Sequence, residues 1–181
     1  HSSPTRRSSD LDLTVSQNTA FTVTAGATSP ICSGLTSQVT ATPHGGASPY
    51  QYSWNGGGYG TSASYTTAAL SSNPTVISVT AKDNYGCTAS NTASITVNPR
   101  PTATVSGGGE ICKGESSTFT IDFTGGAPYS YTWYDGTHST NGTLMSGNSA
   151  IITVTPSTTT TYTGTAVSNS GCGAGTTSGS A

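Results

Sequence analysis

The chain has 181 residues with seven acidic and five basic side chains, a net charge of −2, and Gly, Ser and Thr predominate. Beyond position 11 its only cations are Lys82, Arg100 and Lys113, too few and too scattered to neutralise a run of phosphates, so nucleic acid is excluded as a partner. No run of 18 apolar residues exists to span a membrane, and so small a net charge argues against disorder by composition.

In chain order, residues 1–11 (His-Ser-Ser-Pro-Thr-Arg-Arg-Ser-Ser-Asp-Leu) share nothing with the rest of the chain. They resemble a translated sequencing adapter and are read as an artefact, disordered and outside the fold. Residues 12–20 are read as the end of a preceding repeat plus a linker, because Leu13-Thr14-Val15 parallels Ile95-Thr96-Val97. From residue 21 the chain repeats itself at about 80 residues. Ile31-Cys32-Ser33-Gly34 returns as Ile111-Cys112-Lys113-Gly114. The run from Gly45-Gly46-Ala47 to Tyr50, Tyr52 and Trp54 returns from Gly125-Gly126-Ala127 to Tyr129, Tyr131 and Trp133, and Gly86-Cys87 returns as Gly171-Cys172. A period of that length marks whole small domains in tandem.

Within each unit apolar residues alternate with polar ones, the period of a half-buried strand. Strands are expected at 38–42, 118–123 and 151–154, with stripes of Tyr50, Tyr52 and Trp54; Tyr129, Tyr131 and Trp133; Ile77, Val79 and Ala81; and Tyr162, Gly164 and Ala166. Turn signals separate them at residues 43–46, 55–58, 73–74, 83–86, 141–142 and 169–171. No segment has helical apolar spacing. The expected fold is all-β, two tandem immunoglobulin-like β-sandwich domains at 21–97 and 102–181, each centred on a core tryptophan, Trp54 or Trp133. Residues 98–101, with two prolines in four positions, form an extended linker that sets the sandwiches end to end. The second unit is expected to stop inside its closing strand. Tyr162, entering the sixth strand after a Pro and Thr corner, fits a tyrosine corner whose hydroxyl returns to upstream backbone.

These motifs resemble a known family. Gly-Gly-x-x-Pro-Tyr-x-Tyr-x-Trp, followed by Lys82-Asp83-Asn84-Tyr85-Gly86-Cys87-Thr88, resembles the repeat of large surface adhesins of gliding bacteria. Ile111-Cys112-Lys113-Gly114-Glu115-Ser116, Trp133-Tyr134-Asp135 and Thr160-Thr161-Tyr162-Thr163 resemble a related immunoglobulin-like (PKD-like) repeat of exported bacterial proteins. The resemblance covers about residues 21–181. It implies export, often by the type IX pathway, in an array that ends in a sorting domain.

Cys32 and Cys87 in the first unit match Cys112 and Cys172 in the second. Recurrence of the pair favours one disulfide within each unit, in an oxidising compartment. Against it, sandwich topology sets the two places near opposite poles, while a disulfide needs Cα atoms within about 7 Å. Either the register is unusual or the thiols stay apart. No unit offers four clustered Cys and His ligands for zinc. Asp83 and Asn84 read as turn caps in preference to a calcium site. The carboxylates form no close pair in sequence, no nucleophile elbow is present, and His44 and His138 stand alone in turns. Tyr59 and Tyr65, on looser sequence, are the candidate aromatics for contact with a ligand such as a glycan.

The expectation is a non-catalytic structural or adhesive repeat module of a large secreted or cell-surface bacterial protein, with no cofactor and no metal. Its partners are neighbouring repeats, with surface glycans or other surface proteins as candidates. The alternative is a carbohydrate-binding accessory module of an exported polysaccharide-degrading enzyme.

Overall fold

The computed structural model describes residues 20–181; the expectations for residues 1–19 lie outside them. Sixteen strands and no helix make up the described chain. The first eight, from residue 22 to residue 98, and the last eight, from residue 102 to residue 179, form separate sheets, and no strand pairs across the two sets.

In the first unit, β1 (Thr22–Ala27), β3 (Gln38–His44) and β5 (Ser64–Thr66) make one antiparallel sheet. It faces a second sheet of β4 (Gln51–Trp54), β6 (Thr75–Lys82) and β7 (Thr88–Ile95). Two short strands, β2 (Ile31–Cys32) and β8 (Val97–Asn98), pair in parallel and lay Cys32 beside Asn98. Alternation puts Val39, Ile77, Val79, Ala81 and Ile95 in the interior. Two apolar clusters result, one toward each end of the sandwich, and Trp54 and Ala25 touch both.

The second unit is also a two-sheet sandwich, with four strands in each sheet and a larger aromatic core. One sheet runs β13 (Ser149–Val154), β10 (Ser117–Thr124), β9 (Thr102–Gly107), β16 (Thr176–Gly179). The other runs β12 (Ser139–Leu144), β11 (Tyr129–Tyr134), β14 (Thr163–Asn169), β15 (Gly173–Ala174). Phe119 is buried at the centre, stacked on Tyr162 at 5.0 Å with Trp133 edge-on at 5.6 Å. Phe123 stacks on Tyr129 at 4.8 Å. Offset and edge-to-face contacts of this kind add to the area buried.

Three local readings are corrected. Asn141-Gly142 is not a turn: it lies inside β12, opposite Thr132 and Tyr131. Glycine is needed there because the Tyr131 ring occupies the place of a β-carbon. The stripe Tyr162, Gly164, Ala166 is broken, since a bulge shifts the register of β14 where it passes Thr132 and Trp133, exposing Ala166 and burying Val167. The tyrosine-corner bond is likewise not found. Tyr162 gives its ring to the core and its backbone to Ala181, and among the described residues its hydroxyl meets no backbone acceptor. A hydroxyl does return upstream at Tyr50, to the Gly45 carbonyl at 2.9 Å.

Candidate functional site at the junction of the two units

Each unit has a pole built from a Gly-Gly-Ala turn and a hairpin that ends in Gly-Cys. In the second unit the hairpin between β14 and β15 is held by Asn169. Its Oδ1 accepts the Cys172 N–H at 2.7 Å, and its Nδ2 donates to the carbonyls of Gly125 and Gly126 at 2.8 and 3.1 Å. In the first unit Asp83 takes that place. Its carboxylate accepts the N–H groups of Cys87 at 2.8 Å, Tyr85 at 3.0 Å and Ala47 at 3.1 Å. Burial pushes the Asp83 carboxyl up, but backbone N–H groups of Ala47, Cys87, Tyr85 and Gly86 outweigh it and hold the carboxyl below its ordinary value of 3.8. Asp83 is thus a turn cap, and among the described residues no group of three His, Cys, Asp or Glu is placed to hold a metal.

The opposite pole of the first unit carries the other cysteine. Cys32 and Leu35 close a tight turn, with the Leu35 N–H on the Cys32 carbonyl at 3.1 Å, and Gly34 takes φ 85°. The Gly34 N–H on the Leu70 carbonyl and the Leu70 N–H on the Leu35 carbonyl clip this turn to residue 70.

These two kinds of pole meet at the linker. Cys32 is bonded to Cys172, with Cα atoms 5.5 Å apart across a sequence separation of 140. The expected bonds within each unit, Cys32 to Cys87 and Cys112 to Cys172, are therefore replaced by one bond between units; Cys87 and Cys112 are free and exposed. The reason is strand length. Asn98 lies beside Cys32, and the chain from Cys87 to Asn98 runs almost wholly through β7 and β8. Extended chain covers about 3.3 Å per residue, which separates Cys87 from Cys32 by roughly 35 Å. The poles were in fact opposite, as the topology demanded, and the neighbour's pole was the one within reach.

Arg100 reinforces the bond. Its Nε donates to the Ser33 carbonyl at 3.1 Å, and its Nη1 to the carbonyls of Ala174 at 3.2 Å and Cys172 at 3.5 Å. One planar guanidinium thus ties the first unit to the second, a task suited to its fixed fork of donors. Pro101 is buried under Gly125 and Gly175, and its carbonyl accepts the Thr176 N–H at 3.1 Å. A side chain at Gly175 would collide with Pro101, so the linker docks only on bare backbone. Arg100, Pro101 and Asn169 were not singled out from sequence. Arg100 stood there as one of three scattered cations within a proline-rich linker, though an arginine between two prolines in so uncharged a chain is a readable signal.

The remaining candidates lie elsewhere. Trp54 and Trp133 are half-buried at the margins of the cores; Trp54 donates to the Ser62 carbonyl at 3.2 Å. Tyr65 is half-buried and stacked on Trp54 at 5.7 Å. Tyr59 is 43% exposed, and the Lys82 ammonium sits 4.4 Å from its ring centroid. Tyr65 thus faces Trp54, and Tyr59 faces a cation.

Residues 99–180 match the family model described as Ig-like domain, CHU_C associated. Both units are immunoglobulin-like sandwiches. An I-band fragment of titin superposes with TM-score 0.55 at 12% identity, covering 92% of this chain and 65% of that one. The N-terminal eight immunoglobulin domains of Down syndrome cell adhesion molecule give 0.49 at 14%, covering 80% and 25%. A fragment of a 1.5-MDa bacterial ice-binding adhesin gives 0.45 at 11%, covering 88% and 62%. At 12% identity the likeness to the titin fragment is one of fold. No curated protein matches the chain.

Proposed function

We propose that this chain is a non-catalytic stalk or adhesive segment of a large secreted or cell-surface bacterial protein, and that its task is to transmit force without lengthening. The observation that carries this reading is the Cys32–Cys172 bond between units. A bond inside each sandwich would stabilise the sandwich. A bond across the linker fixes how one sandwich follows the next, and Arg100 and Pro101 act on the same joint. A structural disulfide also fits an oxidising compartment, in keeping with export. Weak contacts made by units held at fixed spacing gain through multivalency. The match of residues 99–180 to an immunoglobulin-like family model supports the same reading.

The carbohydrate-binding alternative has less behind it, since Lys82 sits over one face of Tyr59 and Trp54 covers one face of Tyr65. Small-angle scattering tests the stalk. The oxidised chain is expected to scatter as one rigid two-unit particle, and the Cys32→Ser/Cys172→Ser variant as a broader ensemble with both units folded. Identical curves, or saturable polysaccharide binding lost in Tyr59→Ala, would overturn the reading.

A further inference from the structure

Cys87 and Cys112 sit in duplicates of the two halves of the Cys32–Cys172 bond. Cys112 occupies the Cys32 turn: the Glu115 N–H meets the Cys112 carbonyl at 3.0 Å, as Leu35 meets Cys32 at 3.1 Å, and Gly114 takes φ 91° where Gly34 takes 85°. Cys87 occupies the Cys172 hairpin. Its N–H is held by the Asp83 carboxylate as that of Cys172 is held by the Asn169 amide, and each holder also fixes its own Gly-Gly-Ala turn. The first-unit hairpin is one residue longer, Asp83 to Cys87 against Asn169 to Cys172. Both free thiols are exposed, one at each end of the tandem.

The Cys112 end is also open to solvent. A cleft of about 580 Å³ opens there, lined among others by Glu110, Ile111, Cys112, Phe119, Thr160 and Tyr162.

We propose that Cys87 and Cys112 are reciprocal halves of a further inter-unit disulfide, so that a second copy of this chain, set head to tail, presents its Cys87 hairpin to the Cys112 cleft of the first. This deepens the stalk reading and rests on it: the joint seen once inside the chain is a repeating staple. The chemistry is thiol–disulfide exchange with a low-molecular-weight disulfide, such as oxidised glutathione, as oxidant. The Cys87 thiolate attacks it, forming a mixed disulfide and releasing one glutathione thiolate. The Cys112 thiolate of the next copy attacks the Cys87 sulfur and releases the second. Two protein thiols are oxidised, one small disulfide is reduced to two thiols, and the two protons pass to the leaving thiolates.

The test is to hold the folded chain at high concentration in a glutathione redox buffer and to map cross-linked peptides by mass spectrometry. Expected are a ladder of covalent oligomers on a non-reducing gel and Cys87–Cys112 cross-links in excess over the share that random thiol pairing gives. Cys87→Ser and Cys112→Ser should each stop the ladder at dimers. Random pairing, excess Cys87–Cys87 or Cys112–Cys112 bonds, or no ladder would overturn the staple. If Cys32–Cys172 is mapped intact in that case, the stalk reading survives; if Cys32–Cys172 is itself missing, both fall.

Discussion

Asp83 and Asn169 perform one task with different chemistry. Each fastens a Gly-Gly-Ala turn to the N–H of a cysteine, Asp83 by accepting and Asn169 by accepting on one side and donating on the other. Asp83→Ala leaves three N–H groups at that pole without their acceptor, which is costly where they are shielded from water. We expect a lower melting temperature for the first unit and little change in the second, seen as a split calorimetric transition. Asp135 offers a cleaner titration. The N–H groups of His138 and Thr137 and the Thr137 hydroxyl lower its carboxyl from 3.8 to about 2, with burial opposing and the His138 charge helping slightly. A carboxyl lowered by folding stabilises the native state above its unfolded value, and that contribution fades as pH falls from about 4 toward 2. In Asp135→Asn the acid limb of the stability curve should flatten over that window. An unchanged limb would show that the turn does not hold the charge.

At the scale of elements, the strands were legible and their irregularities were not. Alternation at Val39 and Ala41, at Phe119, Ile121 and Phe123, and at Ile77, Val79 and Ala81 found buried faces, because a pleated strand leaves little choice of which side faces inward. Asn141-Gly142 misled because the pair is a turn signal in isolation, whereas here the glycine makes room for the Tyr131 ring across the strand. A single sequence does not announce a partner strand's aromatic. The bulge facing Trp133 escaped for the same reason, since register is a property of two strands. Gly142→Ala should destabilise the second unit by about 1–3 kcal/mol through overpacking, measured by chemical denaturation; a neutral result would contradict the close approach of Tyr131. The junction was half legible. Recurrent cysteines and a proline-rich linker stood in the sequence, but the pairing they favoured within each unit fails on the distance between opposite poles. What sequence lacked was the rotation of one unit on the next, which decides which cysteine lies across the joint.

For the whole molecule, the disulfide closes a loop of 140 residues that contains twelve of the sixteen strands, β3 to β14. In the chain-entropy model a loop of that size is worth about 5 kcal/mol. The mechanical consequence is larger, because tension applied to the chain ends passes through the Cys32–Cys172 bond and bypasses every strand between them. The direct measurement is single-molecule pulling from the two ends of the chain, with and without reductant. With the bond intact, no unfolding step should release the residues between Cys32 and Cys172. After reduction, or in Cys32→Ser, unfolding of the two sandwiches should free roughly 480 Å of extended chain across that 140-residue span. Full extension of the oxidised protein would contradict a junction that carries load around its domains.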